Sequence, residues 1–376
     1  MINKQRKSIY PDYEHIQLLK ACILEGESAI EAWQNWDRVT NINDIDNGSM
    51  RLLPSLYLTL RDNNIYTDYT NKVKGVYRRT LVKNKILLYS LIDIQKSFKK
   101  YNIEVMLLKG GALILNNYYK DPYQRPMSDI DLLIKPEDEI RAKDLLLELG
   151  WDNVYQFNKY SNPLVGRSNY YKKPNMEIDL HWYLLFEGPD INIDQELWKT
   201  SSKVNLANTV ISVLNPTFQL MHVCIHGVMW SGSYPLRWII DAISIINSNS
   251  NIDWGKILFQ TKARRMTVPM YTALKILENS LHVSIPKDIL QRLKDSGTIL
   301  ERLWYNYAKR KPMPLFGRFI RNYFNYLLFL KHRFKFPGFL RYLQHIYNSN
   351  TLIGLPVTIL KKLIYHITRS FKKVGL

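Results

Sequence analysis

The chain has 376 residues, which at about 150 residues per domain allows two or three folding units and a sizeable buried core. Its two cysteines, Cys22 and Cys224, stand about 200 residues apart, which excludes a disulfide framework and a C-x-x-C metal or redox site. Fifty-two basic against thirty-three acidic residues give a net charge of +19, so anionic partners are expected.

After Met1 the chain continues Ile-Asn-Lys-Gln-Arg-Lys-Ser, without the apolar stretch of a secretory leader, and a cytoplasmic location is expected. Residues 1–100 read as a helical region. Ile16, Leu19 and Ile23, then Ala29, Trp33 and Trp36, recur at three- and four-residue steps, and Tyr69 to Lys99 predicts one or two longer amphipathic helices. The Asn- and Asp-rich residues 41–49 predict a loop between them.

Residues 101–200 change character. Glu104 to Leu108 is a short apolar run that stops at Lys109-Gly110-Gly111 and leads into Ala112 to Tyr119, a pattern of strand, turn and helix. After a polar connection from Lys120 to Met127, Ile130 to Ile134 predicts a second strand. Pro136 opens a helix that turns Ile140, Leu145, Leu146 and Leu149 inward and ends at Gly150. A third strand is predicted at Met176 to Trp182, preceded by extended Ser168 to Lys172.

Residues 201–310 predict a C-terminal helical domain, with helices at Phe218–Trp230, Leu236–Ile246, Trp254–Thr261, Val268–Leu281, Pro286–Leu293 and Ile299–Ala308. Val204 to Leu236 contains no Lys, Arg, Asp or Glu and is long enough to span a bilayer. Asn205, Asn208, Asn215, Pro216, Gln219, His222 and His226 interrupt it, and it reads as buried globular sequence. Residues 311–376 form a basic, aromatic-rich helical tail. No Asp or Glu follows Glu301, whereas residues 302–376 carry fifteen Lys plus Arg and sixteen aromatics, among them Tyr323, Phe324, Tyr326, Phe329, Phe334, Phe336 and Phe339. Such a segment suits an anionic surface, whether membrane, nucleic acid or polyphosphate, and a membrane would make the protein membrane-peripheral; the other reading is a helical surface whose long basic side chains cover apolar neighbours.

The chemistry concentrates in Leu108 to Gly111 and Arg125 to Ile134. Side chains alternate along a strand, so Asp129 and Asp131 project from one face while Ile130 and Leu132 enter the core. Two carboxylates aimed at one point repel unless a cation screens them, and Mg²⁺, a hard ion content with one or two carboxylates plus phosphates and water, fits. A neighbouring strand carrying Glu177-Ile178-Asp179-Leu180-His181-Trp182 can bring Asp179 beside the pair, enough for two ions in phosphoryl transfer. Gly110 and Gly111 open a helix after a strand, where backbone amides can approach phosphate, and Lys109 and Arg125 add charge.

Lys109 to Leu113, Ser128 to Leu133 and Glu177 to Trp182, in that order over about 75 residues, resemble the bacterial uncharacterised nucleotidyltransferase family within the superfamily of DNA polymerase β. The resemblance implies an α+β fold, a small mixed-sheet nucleotidyltransferase core embedded between mainly helical regions. It implies an enzyme that moves an NMP from an NTP to an acceptor hydroxyl or phosphate with release of pyrophosphate, using two Mg²⁺ ions. Asp129, Asp131 and Asp179 map to the catalytic, metal-holding carboxylates, and Lys109, Gly110, Gly111, Arg125 and Ser128 to nucleotide binding. The acceptor implied is a small molecule, glycan or peptide rather than nucleic acid, in surface-polysaccharide or peptide-modification pathways. One departure stands out: seventeen residues separate Gly111 from Asp129, more than in compact relatives, which leaves the place of Arg125 open.

Each motif also has a plainer reading. The D-x-D could be a solvated strand face, Glu177 a solvent residue, a neighbour of the site or a substrate contact, and His181 a structural histidine or a substrate contact. His222 and His226 share a helix face and are either half of a zinc site or core packing, with packing favoured. Arg237 and Asp241 are spaced for an i,i+4 ion pair, which explains them without function, or they line the cleft. The alternative to an enzyme is a non-catalytic binding protein of the same fold acting at a membrane or nucleic-acid partner.

Overall fold

The computed structural model describes residues 9–154, 168–185, 191–229, 236–249, 251–308, 315–330, 338–347, 349 and 351–361. Residues 9–100 are mainly helical, as their periodicity requires: α1 (Tyr13–Ile23), α2 (Gly26–Asp37), the single turn α3 (Asn47–Met50), α4 (Leu53–Asp62) and α5 (Thr70–Lys100). Asp12 caps α1 by accepting from the His15 amide at 3.1 Å, and Pro54 sits in the first turn of α4, where its missing N–H costs nothing. The Tyr69–Lys99 pattern resolves into one unbroken helix of 31 residues, α5, which buries Leu87, Leu91, Ile94 and Phe98 along a stripe of three- and four-residue steps.

The chain then alternates: β1 (Val105–Leu107), α6 (Lys109–Leu115), β2 (Ile130–Ile134), α7 (Glu139–Glu148), β3 (Asp152–Asn153), β4 (Ser168–Lys173), β5 (Met176–His181), α8 (Ile191–Lys199), β6 (Ser202–Leu206) and β7 (Thr209–Val213). All seven strands join one mixed sheet in the order β3-β4-β5-β2-β1-β7-β6. β1 runs antiparallel to β2 and parallel to β7, and β2 runs parallel to β5. The strands expected at 104–108, 130–134, 168–172 and 176–182 are present, and the hairpin β6–β7 extends the sheet past residue 200, where the core was expected to end. The uncharged stretch from Val204 thus begins inside a sheet, with Leu206, Ile211 and Val213 buried. Its two-residue turn, Ala207-Asn208, lacks the Asn-Gly or Asp-Gly signature that marks a hairpin, and Ala207 takes a positive φ of 50°.

The elements described after β7 are helical: α9 (Pro216–Met229), α10 (Arg237–Ser248), α11 (Trp254–Arg264), α12 (Thr267–Leu281), α13 (Lys287–Ser296), α14 (Ile299–Ala308), α15 (Leu315–Asn325), running on into a π-helical turn at Tyr326–Leu330, and α16 (Phe339–Tyr347). The molecule is therefore α+β. α9 is apolar on nearly every side because it lies inside the helical bundle, and Gly227 lets α10 close on it: a Cβ there would meet the Trp238 ring at 2.2 Å. Among the described residues no helix is long and apolar enough to cross a membrane. In the tail, the rings of Phe319 and Tyr323 lie 5.2 and 5.1 Å from that of Phe339, so part of its aromatic content packs internally. Phe334 and Phe336 fall outside the described residues.

Strand alternation sorts the sheet's two faces. Val105, Leu107, Ile130, Leu132, Ile134, Ile178 and Leu180 join a core with the stripe of α5 and with Ala142, Leu145 and Leu146 of α7. Met106 and Leu133 point the other way, into the larger core of the N- and C-terminal helices. Asp131 shares that second face, as the odd polar residue of a strand that is otherwise wholly apolar and buried.

Candidate active site

Asp131 of β2 is paired in register with Asp179 of β5, so the two carboxylates stand side by side on the face toward the helical bundle. His181, two residues on from Asp179 and therefore on the same face, places its Nε2 2.9 Å from Asp179 Oδ2 and 3.3 Å from Asp131 Oδ1. Lys109, at the start of α6, brings its ammonium onto Asp131 and to 3.9 Å from Asp179. Burial opposes ionisation of Asp131, but the Lys109 charge and then His181 outweigh it and hold the carboxyl well below the usual range. The same contacts raise the Lys109 and His181 pKa values despite burial. Ligand atoms of Asp131, Asp179 and His181 all lie within 4.8 Å of one another, a spacing a single metal ion could bridge.

Asp129 lies one residue before β2 and is partly exposed, next to exposed Ser128. Its carboxyl is pushed up to about 6, first by burial and then by the charge of Asp131, with Asp179 adding and Lys109 subtracting. The two aspartates of the D-x-D are thus unlike: Asp131 is a neutralised, deeply buried anion, and Asp129 is the uncompensated member.

The backbone at the turn departs from expectation. Lys109, and neither glycine, adopts a positive φ, of 45°, while Gly110 and Gly111 lie buried inside α6. Both glycines are explained by close packing: a Cβ on Gly110 would come within 2.0 Å of Arg125 Nη1, and one on Gly111 within 2.9 Å of the Leu107 side chain. A left-handed lysine costs about 1–2 kcal/mol and marks a backbone held in place by its surroundings.

Arg125 reaches neither Asp131 nor Asp179. It is buried in a two-pronged ion pair with Asp241 of α10, Nε to Oδ1 at 3.0 Å and Nη2 to Oδ2 at 2.9 Å, and Tyr119 donates its hydroxyl to the same carboxylate. Asp241 therefore pairs with Arg125 rather than with Arg237 one turn before it, and Arg237 instead donates to Pro126 O at 2.8 Å. The long connection between α6 and β2 is pinned from a second side by Asn84 of α5, a fully buried amide that donates to Pro122 O and Arg125 O at 3.1 and 2.9 Å and accepts from the Met127 amide at 3.0 Å. Asn84 and Tyr119 went unnoticed in the sequence; a lone Asn on the buried stripe of an amphipathic helix is the signal that could have found the first.

Glu177 accepts from the Tyr170 hydroxyl at 2.5 Å, an anchor between neighbouring strands. His222 and His226 lie one turn apart on α9 with ring centroids 5.9 Å apart. Burial, then the nearby Lys109 charge, pushes His222 down to about 3 and His226 well below its ordinary value, so both imidazoles are neutral at pH 7. Among the described residues no carboxylate or thiol joins them in a metal-ligand set. They face a cleft of about 120 Å³ that also carries Lys109, Arg51, Arg125 and Arg237.

Residues 34–282, about two thirds of the chain, match the family described as uncharacterised nucleotidyltransferase, and the chain belongs to that family. The matched stretch contains the carboxylates and the cleft. No curated protein matches the sequence. Among solved structures, an antigenic nucleotidyltransferase-like protein from Paracoccidioides brasiliensis is 19% identical, with 56% of this chain and 92% of that chain covered at a TM-score of 0.36. The antibiotic-resistance factor ANT(2'')-Ia is 13% identical, with 53% of this chain and 99% of that chain covered, also at 0.36. Both likenesses are loose, and the assignment rests on the family match. The protein is accordingly a nucleotidyltransferase.

Proposed function

We propose that the chain catalyses Mg²⁺-dependent transfer of an NMP from an NTP to an acceptor hydroxyl or phosphate. The acceptor oxygen bonds to the α-phosphorus, the bond from that phosphorus to the bridging oxygen of the β-phosphate breaks, and pyrophosphate leaves. The observation that carries the reading is the in-register pair Asp131 and Asp179 with a cation, the Lys109 ammonium, drawn onto it. Carboxylates that already hold one cation between them fit a metal ion, and Asp129, Asp131 and Asp179 are the oxygen donors for two Mg²⁺ ions. Bound there, Mg²⁺ would supply charge to offset that developing on the phosphoryl oxygens.

The remaining work falls to the chain's own residues. Asp179 takes the acceptor's proton. Lys109 moves its charge toward the nucleotide's phosphates, with the start of α6 at Gly110 and Gly111 and the Ser128 hydroxyl beside them. Arg125 acts at one remove, by filling the space over Gly110 and fixing the connection that presents Asp129. His181 steadies both carboxylates.

The acceptor proposed is a small molecule, glycan or peptide, in surface-polysaccharide or peptide modification, with the protein cytoplasmic and its basic tail resting on an anionic membrane. Purified protein incubated with α-labelled NTPs and a cell extract, with Mg²⁺ or with chelator, tests the reading: label should pass to an acceptor only with Mg²⁺ and not with Asp131→Asn. Equal labelling by that variant would sink it.

A further inference from the structure

The cleft beside the carboxylates carries a positive charge that the described residues leave unbalanced. It is built from three separated parts of the sequence: Arg51 after α3, Lys109 and Arg125 from the sheet's connections, and Arg237 on α10 with the imidazoles of α9 beneath. Two of these cations are spoken for, Lys109 by Asp131 and Arg125 by Asp241. Arg51 and Arg237 have no ion pair among the described residues. Arg237 and Arg125 converge on one carbonyl, with Pro126 O 2.8 Å from Arg237 Nη1 and 3.4 Å from Arg125 Nη1, so two guanidinium groups sit together, and the one carboxylate lining the cleft with them, Asp241, is paired with Arg125. Arg237 is pushed down to about 10 by burial and then by Arg125, with Arg51 adding to the repulsion against the pull of Asp241.

We propose that this cleft is a phosphoryl-oxyanion site, separate from the carboxylate cluster, in which Arg51 and Arg237 grip the phosphate oxygens of a substrate. Guanidinium forks match phosphate geometry, and an arriving oxyanion relieves the mutual repulsion of the cations that line the cleft. His222 and His226, neutral, offer hydrogen bonds without adding charge. For the identity of the substrate the proposal rests on the nucleotidyl-transfer reading. The anion is either the polyphosphate of the NTP or a phosphate borne by the acceptor.

The test is thermal melting of the full-length chain in excess chelator with inorganic phosphate, tripolyphosphate or each NTP, ionic strength being held with potassium chloride. Phosphate or tripolyphosphate should raise the Tm beyond chloride, and Arg51→Gln and Arg237→Gln should each shift the half-effective concentration about tenfold upward, as expected for one charge-assisted hydrogen-bonded contact. Arg51 is exposed, so its variant should melt like the parent without ligand. If phosphate still stabilises protein saturated with NTP and Mg²⁺, the site belongs to the acceptor; if NTP displaces it, the site holds the nucleotide's own phosphates. Asp179→Asn should keep oxyanion binding while losing transfer, so a wild type that binds phosphate yet labels no acceptor fails on the reaction and not on the site. No stabilisation by any oxyanion, or unchanged response in both arginine variants, overturns the proposal.

Discussion

Replacing Asp129 by Asn tests the asymmetry within the D-x-D in the absence of metal. The folded protein holds this carboxyl at about 6 against an ordinary value of 3.8, about two units, and at about 1.4 kcal/mol per unit the upper bound on the penalty is about 3 kcal/mol. Asp129 is partly exposed, and screening reduces the expected gain of the Asn variant to about 1–2 kcal/mol at pH 7. The sign follows from linkage. Below about pH 4 the carboxyl is protonated in both states and the penalty is absent; between about 4 and 6 only the folded state keeps its proton; above about 6 the full penalty applies. Urea or thermal melts of both proteins in chelator from pH 4 to 8 should show a gap in favour of Asn that opens over that window and is level beyond it. Adding Mg²⁺ should narrow or reverse the gap, because the ion stabilises only the protein that holds it well. An Asn variant less stable than the parent at pH 7 in chelator, or a gap independent of pH, refutes the picture of Asp129 as an uncompensated charge.

Other substitutions probe the surroundings. Lys109→Met leaves buried Asp131 with His181 alone and should cost about 3 kcal/mol in chelator, recovered in part by Mg²⁺; Lys109→Gly should cost about 1 kcal/mol less because it also relieves the positive φ, and urea melts of the two separate charge from backbone. Asp241→Asn strands the buried Arg125 cation and should destabilise by about 3–5 kcal/mol at pH 7, read in the same melts. Gly110→Ala forces the Arg125 guanidinium aside and should cost at least about 1–3 kcal/mol, whereas Gly75→Ala, with open space around it, should be neutral or stabilising.

Asp131, Asp179 and His181 were legible in the sequence because strand alternation is a strict geometric rule: Asp179 and His181 share one face of β5, and a parallel pairing in register brings Asp131 of β2 beside Asp179; Asp129 lies one residue before β2, where that rule does not reach. The helical regions were legible for the same kind of reason, a period of three to four. Three things were not. The β6–β7 hairpin hid behind a turn whose residues carry no turn signature. The duty of Gly110, to make room for a side chain fifteen positions later, depends on a contact that no local pattern encodes. Of the two readings of Arg237 and Asp241, the structure bears out the one in which they line the cleft; the ion pair does not form because i,i+4 spacing on a helix only permits a pair, and Arg125 competes for the same carboxylate with two hydrogen bonds in a buried setting and wins.

These contacts divide the charges near β2 into two zones with Lys109 at the boundary. On one side Asp129, Asp131 and Asp179 form an acidic zone whose largest uncompensated member is Asp129. On the other, Arg51, Arg125 and Arg237 outnumber Asp241. Lys109 borders both, with its ammonium on Asp131 and its side chain part of the cleft wall. A divalent cation in the acidic zone competes with the ammonium for the same oxygens, and an oxyanion in the basic zone gives the ammonium somewhere else to go. The two ligands should therefore favour each other's binding through one side chain, and the coupling should vanish in Lys109→Met while each ligand still binds alone. Melting curves with phosphate, with Mg²⁺ and with both, for parent and variant, measure it: stabilisation by the pair beyond the sum of the single effects in the parent only is the expected result, and a strictly additive response in the parent would show that the two zones act independently.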